Sequence, residues 1–313
     1  MQKVFILKLF FANLFAFLFL PAFSQKQPVW IDADTGNEID DVYAIVRMLI
    51  EPSVNLVGLS SAHFNNPDLL VFDKWNQYPA KGLSTINISQ QLNENILLRM
   101  GRSDVKCVPG ADRQTGRAWG GTDARDSEAV KQLVAYVRSM PTGTKLDVIC
   151  LGAMTNLVSA IILYPDIIPN IRCYLLGAQY DASKQVWNKN EFNVRNDLNA
   201  FDYLLDNDMI ELIIMPVTTA SPFRFRRDET YSRLQNDKQA HQLLKERWEE
   251  TEPDNRQRVM WDLALIEAYL KPEYAKIEER FIPPENGAHK QKVYVSIDAE
   301  KLYDDFWENI NRP

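Results

Sequence analysis

Soft metal ligands and side chains that titrate near neutral pH are scarce in this sequence, with three histidines and three cysteines in 313 residues. His63, His241 and His289 show no metal-ligand spacing and form no HxxxH pair, which excludes the common zinc arrangements. An odd cysteine count argues against a disulfide scaffold. Cys150 and Cys173 stand in the apolar, strand-like runs DVICLG and IRCYLLG and read as small buried hydrophobes, although neighbouring strands would make a bridge conceivable. Basic charge is also short, with 35 Lys and Arg against 42 Asp and Glu. So acidic a chain has no electrostatic footprint for nucleic acid or for an anionic membrane; a small neutral or cationic ligand suits it better. Internal repeats and low-complexity linkers are missing too, which leaves one globular unit.

What is present begins with an apolar run at residues 9–20, flanked by Lys3 and Lys8 and ended by Pro21. Ala22-Phe23-Ser24 then puts small residues at the two positions a signal peptidase reads, so residues 1–24 are expected to be a signal peptide cleaved before Gln25. The protein would then be exported, periplasmic or secreted, with no stable membrane insertion after cleavage. The competing reading is an uncleaved anchor, since residues 4–23 nearly span a bilayer if Lys8 snorkels. No cysteine follows the run, which argues against a lipoprotein. Removing the segment takes two lysines and leaves 33 basic against 42 acidic residues, a net of −9.

Over residues 25–313 the pattern alternates. Strands are expected at 29–31, 54–60, 145–151, 171–176 and 212–217, and helices at 40–50, 127–140, 155–163, 197–205 and 260–270. That rhythm predicts an α/β fold: a single open, mostly parallel, Rossmann-like sheet wrapped by helices. Residues 221–255, rich in Arg, Glu, Asp and Gln, read as an inserted helical excursion.

The stretch VWIDADTGNEIDDVYA, residues 29–44, holds Asp32, Asp34, Asp40 and Asp41 where a strand ends and a helix begins. In an open α/β sheet that is where ligands bind. Carboxylates held so close need a cation or shared protons, and a hard, oxygen-preferring divalent ion meets the need.

Three families offer such a cluster. An EF-hand calcium loop fails because Gly36 falls too early and no two helices flank the loop. Asp32-Ala33-Asp34-Thr35 matches the DxDxT motif of haloacid-dehalogenase phosphatases, with Asp304-Asp305 as the nearest later acidic pair, in an amphipathic C-terminal segment. The third family explains more of the chain. DADTGNEIDDVYAI resembles the DxDxGNDxDDAxAL opening of the inosine-uridine preferring nucleoside hydrolases, with Glu38 in place of Asp. GLSSAHFNN, ending at Asn65, is similar to the family's second strand, and CLGAMTNLVSAI to its LGPLTNxAxAL turn. LLGAQYD and NEFNVRND resemble the GGxx…EFNxxxD segment, and WDLALIEAYLKPE the [H/W]DxxA helix.

This resemblance implies a calcium-dependent enzyme that hydrolyses the N-glycosidic bond of ribonucleosides to free base and ribose, inverting and without a covalent intermediate. By it, Ca2+ is held by Asp34, Asp41, the Leu151 carbonyl and Asp262, and Asp34 is also the general base. Asp40, Asn65, Glu191 and Asn193 would hydrogen-bond the ribose, with Asn188 on its 5′ side. Many members carry a histidine before the last aspartate; here it is Trp261, as in the purine-specific branch, where two tryptophans sandwich the base. Trp119 would be the second face and Trp187 its rival. The expected partner is a small nucleoside, and homo-oligomers are common in the family.

The other residues carry plainer expectations. Asp32 reads as support for Asp34, Asn156 as a helix cap, and Asp197 as a helix N-cap. His63 falls near the proposed pocket, while His241 and His289 read as surface residues. The rival in another class is an exported nucleoside- or sugar-binding protein of the same fold without turnover, for which the missing histidine argues.

Overall fold

A computed structural model describes residues 26–64, 84–117, 120–235 and 237–312. The expected signal peptide, Asn65 and Trp119 lie outside the described residues. Strand β1 (Gln27–Ala33) runs into helix α1 (Asp40–Ile50), then β2 (Val54–Ser61), α2 (Thr85–Arg99), β3 (Lys106–Pro109) and α3 (Glu128–Ser139). The chain continues through β4 (Leu146–Cys150), α4 (Thr155–Leu163), β5 (Ile171–Leu176), the hairpin β6 (Gln179–Asp181) and β7 (Val186–Asn188), α5 (Phe192–Asn196), α6 (Leu198–Asp206) and β8 (Leu212–Met215). After the short α7 (Val217–Ala220) come β9 (Arg224–Arg226), α8 (Arg227–Arg233), α9 (Gln239–Thr251), β10 (Gln257–Val259), α10 (Trp261–Leu270), β11 (Ala275–Phe281), β12 (Lys290–Ile297) and α11 (Ala299–Ile310).

Among the described residues the main sheet has eight strands in the order β11-β12-β8-β5-β4-β1-β2-β3. All neighbours pair in parallel except β11 with β12 at one edge. The chain winds from β1 outward through β2 and β3, then returns to β4 on the other side of β1. This reversal between β1 and β4 opens a crevice beyond their carboxyl ends, the switch point of an open α/β sheet. Helices cover both faces, so alternate residues of β1 enter different cores. Ile31 packs with α1, α10 and α11, whereas Trp30 packs with α3, α4 and α6.

The expected strands and helices are all present, most within one or two residues of their predicted ends. The fifth strand differs by two residues at its end, stopping at Met215, with Val217 opening a short helix. Residues 221–255 hold the expected excursion, and β9 near its start pairs antiparallel with β10 just beyond its end. Between residues 84 and 109, where the alternation predicts no element, lie α2 and β3. Helix α2 escaped the hydrophobic pattern because its inward face is partly polar: Ser89, Gln90 and Asn93 are buried beside Ile86, Ile96 and Leu97. Ser89 and Asn93 bind the aspartate loop, Ser89 Oγ accepting from Gly36 N at 3.2 Å and Asn93 Oδ1 from Thr35 Oγ1 at 2.6 Å.

All three cysteines are free. Cys150 and Cys173 do lie on neighbouring strands, but Cys173 faces Val148 and Cys150 faces Leu175 across the ladder. Among the described residues no helix is long and apolar enough to cross a membrane.

Candidate active site

Asp34 follows β1 directly, where a tight turn closes through Asn37 N donating to Asp34 O at 2.8 Å. Asp40 and Asp41 occupy the first turn of α1 and Asp262 the first turn of α10, positions where the helix dipole favours negative charge. The two helix starts are tied together, since Asp262 N donates to Asp40 Oδ2 at 3.0 Å. One carboxylate oxygen from each of Asp40, Asp41 and Asp262 falls within 4.8 Å of the others. Gly152, just after β4, completes the crowding: a Cβ there would sit 2.7 Å from Asp34 Oδ1, so only glycine lets this backbone pass.

Among the described residues Asp34, Asp40, Asp41 and Asp262 each keep one buried carboxylate oxygen with no hydrogen-bond partner. Burial raises the pKa of all four carboxyls; the neighbouring carboxylates push Asp34, Asp41 and Asp262 further, well above the usual range. Unpartnered anionic oxygens buried face to face are costly unless a cation compensates them. An all-oxygen, anionic donor set fits a hard divalent cation.

These carboxylates line one side of a pocket of about 670 Å³, part of it open to solvent. Leu151, Glu191, Asn193 and Trp261 line it too, as do Asn37, Glu38, Leu176, Gln179, Asn190, Phe192 and Val217, which the sequence reading had not singled out for the site. Asn37 and Glu38 belong to the recognised motif; the apolar wall of Leu176, Phe192 and Val217 carries no residue-type signal of its own.

The Leu151 carbonyl accepts from Asn193 Nδ2 at 2.5 Å, and the same amide donates to Leu176 O at 3.2 Å. Glu191 caps α5, its carboxylate accepting from Asn193 N, Val194 N and Ala178 N. Through Ala178 N it ties the start of α5 to the segment after β5, while Asn193 itself reaches the ends of β4 and β5. Trp261 stands on the wall with Nε1 3.5 Å from Ser221 Oγ. Asn188 lies exposed on β7, and among the described residues the pocket is lined by Asn190 rather than Asn188. Trp187 is turned away, packed on Tyr180 with ring centroids 4.7 Å apart and donating to Phe281 O at 2.8 Å.

Around the site, Asp32 accepts from Ser60 Oγ at 2.6 Å and Asn156 Nδ2 at 2.9 Å. Asn156 does not cap α4. Met154 occupies that place, and the Asn156 side chain bridges Asp32, Ser61 O and Ala111 N across three segments. Asp197 caps α6 as expected, accepting from Ala200 N at 2.9 Å. His63 is buried with Nε2 2.9 Å from Thr155 Oγ1, and burial lowers its pKa to about 4, so it is neutral at pH 7. Among the described residues it does not line the pocket. His241 is buried rather than on the surface: its ring nitrogens meet Gln235 N at 2.7 Å and Ile310 O at 2.9 Å, tying α9 to the C-terminal helix. Asp305 pairs with Arg47, two turns along α1 from Asp40, so this acidic residue is no part of the site.

The geometry is that of a pocket at the switch point of an α/β sheet, with an anionic donor set suited to a cation. The model of the family "inosine-uridine preferring nucleoside hydrolase" matches residues 29–304, and the chain belongs to that family. It is an N-glycosyl hydrolase with a small nucleoside as substrate. Among solved structures, a plant nucleoside hydrolase shares the fold at 16% identity, covering 92% of this chain and 100% of that one with a TM-score of 0.67. A purine-preferring ribonucleoside hydrolase from Gardnerella vaginalis is also 16% identical, covering 91% and 98% with a TM-score of 0.59. An inosine-uridine preferring nucleoside hydrolase from Bacillus anthracis is 14% identical, covering 91% and 99% with a TM-score of 0.63. A comparison with curated proteins finds no match.

Proposed function

We propose that this hydrolase is an exported, calcium-dependent enzyme that splits purine ribonucleosides into base and ribose. The observation that carries the calcium reading is the set of buried, unpartnered oxygens on Asp34, Asp40, Asp41 and Asp262. Asp34, Asp41, Asp262 and the Leu151 carbonyl would hold the ion. When bound, calcium would supply a fixed positive charge that lowers the pKa of these carboxylates, acidifies a water and orders vicinal hydroxyls.

Asp34 takes the proton from the attacking water as its oxygen bonds to C1′ of the ribose. The C1′–N bond breaks at the same centre, and its electron pair leaves with the base. The surrounding carboxylates favour the positive charge that develops on the sugar. Asp40 and Asn193 bind ribose hydroxyls, and Glu191, whose carboxylate is engaged as a cap, fixes Asn193 and lends its remaining lone pairs. Trp261 offers a flat apolar face to the base but no proton, since an indole does not titrate near neutral pH. The purine preference rests on that tryptophan.

The test is release of free base and reducing sugar from a panel of purine and pyrimidine nucleosides. Purine turnover above pyrimidine, lost in a chelator, is the expected result. Turnover of no nucleoside in the presence of calcium would overturn the reading.

A further inference from the structure

Arg258 lies on β10 and reaches back over 220 residues of sequence to the aspartate loop, where its Nη2 donates to Glu38 Oε2. Its Nη1 pairs with Glu252 Oε1 at 2.8 Å, and only 13% of the side chain is exposed. The guanidinium carbon sits 5.6 Å from the centroid of the Trp261 ring, within cation–π range. Glu38 and Trp261 both line the pocket, whereas Arg258, among the described residues, does not; it stands behind them. Glu38 is also a position at which the opening motif departs from the pattern it resembles, and Trp261 stands where many members carry a histidine. The extra methylene of Glu38 over aspartate extends its reach toward Arg258.

We propose that Arg258 is a positioning residue for the nucleoside base, clamped by Glu38 and Glu252 so that it backs Trp261 and presents the indole face to the pocket already in place. This rests on the nucleoside-hydrolase reading of the site. The physical argument is preorganisation. A free indole at a pocket rim loses rotamer freedom when a base stacks on it, and a planar cation fixed behind the ring removes that cost beforehand. Two carboxylates fix the cation in turn, and the bidentate, planar guanidinium suits both tasks better than an ammonium. The base-dependent part of the effect belongs to binding and grows with the area of the base, whereas the attraction between Arg258 and Asp40 is common to all nucleosides.

The experiment uses the full mature chain with calcium and compares wild type, Arg258→Met and Arg258→Lys on inosine and uridine. Binding of inosine by calorimetry runs beside steady-state turnover. Arg258→Met is expected to raise KM for inosine about tenfold with kcat within about threefold, and to raise KM for uridine less. Arg258→Lys should recover part of the loss. Equal KM effects on both substrates, or a loss confined to kcat, would overturn the proposal, because a purely structural role does not distinguish the bases. Should wild type bind inosine without turnover, the hydrolase reading fails while weaker binding by Arg258→Met still supports the positioning role. Unchanged binding in Arg258→Met overturns it. If Arg258→Met fails to fold, Glu252→Gln, which removes one jaw of the clamp, is expected to show the same base-dependent rise in KM, and its absence would overturn the role.

Discussion

Removing calcium should make the protein's stability fall as pH rises, and restoring it should reverse that trend. The reasoning follows from protonation. Asp34, Asp41 and Asp262 have folded-state pKa values well above those of the unfolded chain, through burial and mutual repulsion. Asp32 moves the same way, from 3.8 to about 6, chiefly by burial. A group raised on folding contributes stability that is complete below its unfolded pKa and lost as pH climbs through its folded pKa. For fully buried Asp32 the change corresponds to roughly 3 kcal/mol between about pH 4 and pH 6. The other three extend the loss to higher pH. On the proposed reading, calcium among Asp34, Asp41 and Asp262 would cancel their repulsion and compete with their protons, so its stabilisation would grow with pH. At calcium one hundred times its dissociation constant the gain is about 2.7 kcal/mol, or roughly 5 °C in Tm for a domain of this size. Calorimetric melts at pH 5.5, 6.5 and 7.5, in chelator and in calcium, read this directly. A calcium increment that is flat or shrinks from pH 5.5 to 7.5 would refute the reasoning.

Three further outcomes are expected. Arg47 and Glu267 form a fully buried ion pair at 2.9 Å between α1 and α10. Arg47→Met should cost about 3–5 kcal/mol in a denaturant melt, and adding Glu267→Leu should restore much of it, because the lone charge is what is costly. Asp34→Asn should keep the fold and lower kcat on inosine by about 10²–10⁴, measured by base release. If the proposed export holds, N-terminal sequencing of the protein purified from its host should begin at Gln25; a start at Met1 would favour the uncleaved anchor.

The parts of this site that are local in sequence could be read from it. Asp34, Asp40 and Asp41 lie within one strand–turn–helix unit, whose apolar spacing reveals both elements. Asp262, more than two hundred residues away, was legible only through a motif, because nothing in composition places the start of α10 against the start of α1. Helix α2 was hidden by its polar inner face. Asn156 was misread because a residue at a helix start has an obvious local role, whereas its partners Asp32, Ser61 and Ala111 are distant in the chain. His241 looked like a surface residue for a similar reason, since what buries it is the returning C-terminal helix. The Glu38–Arg258 pair leaves no sequence signal at all. It depends on how the excursion folds back over the aspartate loop, where Arg247 also donates to Thr35 O at 3.0 Å and Glu38 O at 2.9 Å.

The most direct test of the account is calcium titration of chelator-stripped protein while inosine hydrolysis is followed. Activity should be absent without calcium, return with saturation at one ion per chain, and fail to return in Asp41→Asn or Asp262→Asn at the same concentration. Full inosine turnover in the stripped protein, or an undiminished response to calcium in both variants, would contradict the claim that these buried carboxylates hold the ion on which hydrolysis depends.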